Sequence, residues 1–164
     1  MSLATETIGL AGEYAVAAEL CRRGVYCQLT LGNRKKTDLL VETKERLFRV
    51  SVKAKKKQSW PQVKGIWQAG DLLVFVDYKN KEITTPPDFY VLDVPAWKKV
   101  VSRIKKRKDD PRAKINNENT LFWPGHEGEK NSWTGCQISV ADVAEFKDAW
   151  PDLDNTQPKG MLTQ

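Results

Sequence analysis

A carboxylate, a hydroxyl and an amine stand at short spacing in the first third of the chain: Asp38, Ser51 and Lys53. Asp38 belongs to the run Thr37-Asp38-Leu39-Leu40-Val41-Glu42-Thr43, and the other two to Leu47-Phe48-Arg49-Val50-Ser51-Val52-Lys53-Ala54. The second run alternates. Phe48, Val50, Val52 and Ala54 fall on one face and Leu47, Arg49, Ser51 and Lys53 on the other, the period of a half-buried strand. In the first run Leu39 and Val41 oppose Asp38, Leu40 and Glu42. A hairpin turning at Glu45-Arg46 pairs Lys44 with Leu47, Leu40 with Ser51, and Asp38 with Lys53, and paired residues share a face. One face is then apolar and the other carries Asp38, Ser51 and Lys53 together. Carboxylates bind hard divalent cations such as Mg2+, and a lysine beside them can orient a water or counter phosphate charge. The plainer alternative is a cross-strand ion pair between Asp38 and Lys53, worth under ~1 kcal/mol at a surface.

The charge pattern favours a polyanionic partner. The chain has 164 residues with a net charge of +6 and a pI near 9.2, a balance suited to nucleic acid. Arg34-Lys35-Lys36 precedes Asp38, and Lys53-Ala54-Lys55-Lys56-Lys57 continues the second strand, so both clusters flank the polar face. A third cluster runs from Arg103 to Lys108. Trp60 follows the second cluster and is a candidate for stacking on a splayed base. Packing is the reading for most of the six tryptophans. No apolar run approaches the ~20 residues of a membrane span, and the N-terminus does not read as a signal peptide. Cys21, Cys27 and Cys136 are odd in number and lack zinc-type spacing, which implies reduced thiols and a cytoplasmic setting. The single histidine, His126, sits in a Gly-rich loop and cannot supply a histidine-based metal site.

The surrounding elements are expected as follows. Residues 5–23 read as a helix with a small-residue stripe, ended by Gly24. Gly12 within it permits a close backbone approach, and Glu13 lies beside it. Residues 25–31 form a strand, followed by the hairpin. Residues 58–69 hold Pro61 and Gly65 and are ambiguous, with Val63, Ile66 and Trp67 along one side of a short helix. Leu72 to Val76 is the most apolar run and reads as a buried central strand. Residues 88–93 form another strand, and Pro95 opens a basic helix to about Arg107. Residues 109–135 show little periodicity. Cys136 to Ile138 is a short strand, and Ser139 with Asp142 has the spacing of a helix cap before a short helix through Ala149. The fold class is α/β, a mixed β-sheet flanked by helices.

The sequence of Gly12-Glu13 on a helix, Thr37-Asp38 on a strand and Ser51-Val52-Lys53 on the next resembles the PD-(D/E)XK nuclease superfamily. The likeness is strongest to its Holliday-junction-resolvase-like and restriction-endonuclease-like branches and spans about residues 7–95. It implies an αβββαβ core within one nuclease-like domain over 1–150. A basic helix and loop-rich extension would cover 95–150, and 151–164 would be a frayed tail. By this resemblance Asp38 is the central metal ligand, Glu13 the helix-borne ligand, Lys53 the catalytic lysine and the Val52 carbonyl a further ligand for Mg2+ or Mn2+. Ser51 stands where the family usually has Asp or Glu, and Thr37 where it has proline. A hydroxyl is a neutral ligand, so Ser51 removes a charge from the site. Glu42, on the same nominal face, is the candidate to compensate.

The expected function is a metal-dependent nuclease that hydrolyses DNA phosphodiester bonds, structure-selective or weakly sequence-specific. Arg34, Lys35, Lys36, Lys55, Lys56 and Lys57 would hold the backbone, since phosphate contacts position without reading sequence. The alternative is a catalytically inactive nuclease-like module that binds nucleic acid, favoured by Ser51. A weaker third reading is a protein-interaction module with a basic face. Relatives of this kind often act as dimers, so a homodimer is carried as an option.

Overall fold

The structure is a computed structural model and describes residues 3–30, 37–44, 46–125 and 132–153. The elements are α1 (Leu3–Arg22), β1 (Cys27–Leu29), β2 (Leu39–Glu42), β3 (Leu47–Lys55), β4 (Ser59–Val63), β5 (Asp71–Asp77) and β6 (Asp88–Asp93). They continue with α2 (Val94–Lys108), β7 (Lys114–Ile115), β8 (Leu121–Trp123), β9 (Trp133–Thr134), β10 (Cys136–Ser139) and α3 (Val140–Val143), which runs into a 3-10 turn. Five strands form the main sheet in the order β1-β2-β3-β5-β6. Only β3 and β5 are parallel in it. This is the expected mixed sheet flanked by helices.

Alternation in β3 separates two apolar layers. Phe48, Val50 and Val52 join Leu72, Val74 and Val76 of β5 on one face, where Val16 and Leu20 of α1 cover them. Leu73 and Phe75 face the other way and pack under Trp97, Val100, Val101 and Ile104 of α2. Every residue of β5 is buried, as its unbroken apolar run requires. Asp93 caps α2 by accepting the Ala96 N–H at 2.9 Å, and Pro95 sits in its first turn. Ser139 and Asp142 form the capping box of α3, although that helix stops at Val143.

Gly12 is the point where α1 meets the sheet. A Cβ at this position would stand 2.5 Å from the Ala54 Cβ and 3.5 Å from a Val52 methyl, whereas one at Gly9 meets nothing within 4 Å. The two glycines therefore separate packing from helix propensity. Gly12→Ala is expected to destabilise by roughly 1–3 kcal/mol through overpacking. Gly9→Ala is expected to stabilise by up to about 1 kcal/mol. Urea midpoints of both variants check this, and equal effects would refute the close approach.

Three expectations need correction. The hairpin pairs Leu39 with Val50, Leu40 with Arg49 and Glu42 with Leu47, so its register is shifted by two residues from the one expected. Thr43 closes the turn by bonding Arg46 through backbone and hydroxyl. An even shift leaves every side chain on its face, so the polar face survives. Glu42, however, sits at the turn end opposite Leu47 and does not compensate for Ser51.

Residues 59–63 form a strand, not part of a helix, so the connection from β3 to β5 departs from the αβββαβ order. Among the described residues β4 pairs only with β10, which leaves room for Pro61, a residue without an N–H. Trp60 and Val63 supply the strand's buried face. Within residues 109–135, where the sequence shows little periodicity, β7, β8 and β9 form a small antiparallel sheet. Arg34, Lys35, Lys36, His126 and the tail from residue 154 lie outside the described residues. Cys21, Cys27 and Cys136 are all free. Among the described residues no helix is long and apolar enough to cross a membrane.

Candidate functional site

The site is built where β2 stops and β3 continues. Asp38 immediately precedes β2. Its N–H donates to the Val50 carbonyl at 2.8 Å, and its carbonyl accepts the Thr30 N–H at 2.9 Å. The Thr30 hydroxyl donates to the Thr37 carbonyl at 2.6 Å. The backbone of Asp38 is thus gripped from both sides. Its carboxylate turns onto β3 and accepts the Val52 N–H at 2.6 Å, taking a donor that β2 no longer reaches. Backbone groups alternate along a strand. Arg49 N–H bonds the Gly70 carbonyl and Lys55 C=O accepts from Tyr78, so odd-numbered residues of β3 point to the β5 side. The Val52 carbonyl therefore faces the same open edge as the Asp38 carboxylate.

Glu13 arrives from α1, one residue beyond the Gly12 contact with Val52 and Ala54. Its carboxyl titrates above its ordinary 4.5: partial burial raises it most, the Asp38 charge adds to this, and Lys53 opposes both. Glu13 therefore responds to its burial first and then to the charges of Asp38 and Lys53. Between 4.5 and the raised value the folded state holds more protons than the unfolded state. Stability consequently falls as pH rises through that window. Glu13→Gln is expected to remove this fall, measured as the change in urea midpoint across mildly acidic pH. An unchanged slope would mean that the Glu13 carboxyl is not raised in the folded state.

Ser51 and Lys53 lie on the opposite face of β3 from α1, in register with Leu73 and Phe75 of β5. Both line a cleft of about 540 Å³, together with Thr37, Gln62, Trp67 and Gln68. Asp71 holds the cleft's two walls together. One carboxylate oxygen accepts from Arg49 of β3 at 2.7 Å. The other accepts the N–H groups of Trp67 and Gln68 at 3.2 and 2.9 Å. Asp38 and Val52 meet at this edge, the Glu13 carboxyl responds to the charges of Asp38 and Lys53, and Ser51 and Lys53 line the cleft on the face away from α1.

Two expected nucleic-acid contacts fall elsewhere. Lys55 is only 4% exposed. It pairs with Asp77, its direct partner on β5, at 2.6 Å. Its Nζ also lies 4.4 Å from the centre of the Trp60 ring. Trp60 itself is 1% exposed, packs on Phe75 and Tyr90 and donates its indole N–H to the Val76 carbonyl. Neither is available to DNA. Lys56 and Lys57 are exposed and line a shallow groove with Lys79 from the turn after β5. In the third basic cluster, Arg103 pairs with Glu145 and Arg107 with Asp142, each at 2.6 Å.

The cleft wall was not legible in the sequence. Gln62, Trp67 and Gln68 carry no motif, and their shared position depends on β4 crossing over β3. Gln62 is the one local sign, since its φ of 50° places it in the left-handed region within β4, opposite an irregular step in β10.

No family model matches the chain, and no curated protein does. Among solved structures, a bacterial homing endonuclease matches 55% of this chain and 69% of its own, at 18% identity and a TM-score of 0.41. The chemistry of the site rests on its own residues.

Proposed function

We propose that the chain is a metal-dependent nuclease that hydrolyses DNA phosphodiester bonds, structure-selective or weakly sequence-specific. The observation that supports this most is the Asp38 carboxylate seated on the Val52 N–H, with a Glu13 carboxyl that feels the charges of both Asp38 and Lys53. The donor set suits a hard cation. Among the described residues no cluster of three or more His, Cys, Asp or Glu side chains stands ready for a metal. Two carboxylates and a carbonyl nonetheless match Mg2+, which keeps several waters and takes one or two carboxylates. Burial raises Glu13 most and repulsion from Asp38 adds to it, and a divalent cation would relieve that repulsion.

Asp38, Glu13 and the Val52 carbonyl would hold Mg2+ or Mn2+. When bound, the metal supplies Lewis acidity to a phosphate oxygen and lowers the pKa of a water. Lys53 places a positive charge beside the phosphate, where charge accumulates as the bond breaks. Ser51 contributes a hydroxyl and no charge. Lys56 and Lys57 extend the cationic surface along the backbone, with Arg34, Lys35 and Lys36 preceding Asp38 in the chain.

The absence of an acid at position 51 favours a second reading, a nuclease-like module that binds nucleic acid without cutting it. Cleavage of supercoiled plasmid and of a branched junction with Mg2+, Mn2+ or EDTA separates the two. Metal-dependent nicking supports the nuclease. Binding at low salt, steeply weakened by added salt, with no nicking by either metal supports the binder. Neither cleavage nor binding would leave the basic face to a protein partner.

A further inference from the structure

We propose that the cleft beside Lys53 receives one unpaired nucleobase of the DNA, next to the phosphate held at the site. This rests on the nucleic-acid reading above and adds the substrate's form to it. The volume of about 540 Å³ lies within the roughly 300–1,000 Å³ of small-molecule sites. The lining matches a base and its two flanking phosphates. Trp67 offers an aromatic surface, and every base has a face that stacks. Gln62 and Gln68 carry amides that both donate and accept, as base edges do. Leu73 closes the floor, and Lys53 and Lys64 bring cations to the walls.

The cleft is already built. Asp71 ties the Trp67 and Gln68 backbone to Arg49. Further along the same wall, the Gly65 N–H donates to the Thr120 hydroxyl at 2.7 Å, and the Asn119 amide to the Ile66 carbonyl at 2.8 Å. Asn119 is in turn fixed by the Trp97 indole N–H at 2.8 Å. A wall pinned this way loses little freedom when a ligand enters. A duplex is too wide for a space of this volume, so only a base outside the stack can occupy it, as in enzymes that act on extruded bases.

The test measures binding in EDTA at low salt, without cleavage. Three duplexes are compared: one with a single bulged 2-aminopurine, one with an abasic residue at the bulge, and one fully paired. The bulged base is expected to bind roughly tenfold tighter than either control, the scale of one base–aromatic stack. Its fluorescence should fall on binding as the base stacks. Both signals should disappear in Trp67→Ala, while Lys57→Ala should weaken all three duplexes alike. Gln68→Ala, whose backbone bond to Asp71 does not involve the side chain, should reduce the preference and leave the fold intact. Equal binding of the three duplexes to the wild-type protein would overturn the base pocket and leave backbone binding standing. No binding to any of them would overturn the nucleic-acid reading itself.

Discussion

Asp38→Asn is expected to lower metal-dependent cleavage on the order of a thousandfold, above the ~10–100-fold that groups one layer out from a metal cost. The substitution is close to isosteric. An amide oxygen can still accept the Val52 N–H now held at 2.6 Å, so the hairpin end stays in place. What is lost is the negative charge, and with it the proposed central metal ligand. Stability should change by only about 1 kcal/mol, the difference between a charged and a neutral acceptor. Plasmid nicking and calorimetric titration with Mg2+ read the two consequences separately. Lys53→Ala should also lose cleavage while keeping metal affinity, because its proposed role is toward phosphate. If Asp38→Asn cuts as fast as wild type, the metal is held elsewhere and the edge of β3 is not the active site.

Trp60→Ala is expected to destabilise the protein by about 3–5 kcal/mol, the usual cost of deleting a large buried aromatic. For a chain of this length that is a fall in Tm of roughly 10 °C. The indole fills the space over Phe75 and Tyr90, gives its N–H to Val76 and carries Lys55 on its face. Removing it opens a cavity and leaves the buried Lys55–Asp77 pair without one wall. Its affinity for DNA should not change once folding is controlled, for which Trp60→Phe serves. A base-stacking tryptophan would behave in the opposite way, with near-normal stability and weakened binding. Thermal melts and binding at low salt together decide between the two roles.

Several parts of this molecule were legible from local pattern. The apolar run of β5 could only be a buried strand, and it is buried at every position. The alternation of β3 sorted Ser51 and Lys53 from Val50 and Val52. Asp93 with Pro95, and Ser139 with Asp142, marked two helix starts, since a cap needs only residues three or four apart. Gly12 marked the contact between α1 and the sheet because the absent side chain is itself the signal. For the site, the sequence supplied the types and order of Glu13, Asp38 and Lys53, and the Glu13 carboxyl, raised mostly by burial, also responds to the charges of the other two.

The remainder depended on partners far apart in the chain. Lys55 looks like its neighbours Lys56 and Lys57 in the sequence. It is buried because the parallel register of β3 and β5 sets it opposite Asp77. Trp60 follows a basic run and reads as a surface aromatic until β4 folds over β5 and encloses it. The hairpin register moved by two residues because strand pairing, unlike alternation, answers to the turn and to both neighbouring strands. The cleft combines β3, β5 and the chain from Gln62 to Gln68 through the single carboxylate of Asp71, and no motif in any one segment encodes that meeting. Residue order alone sets which residue types are available for the proposed phosphodiester chemistry and which face of each strand they occupy, because both follow from covalent order and period. Which cations remain at the surface, and where a pocket forms beside them, is set in three dimensions, because burial is a property of the neighbours that the fold brings across the sheet.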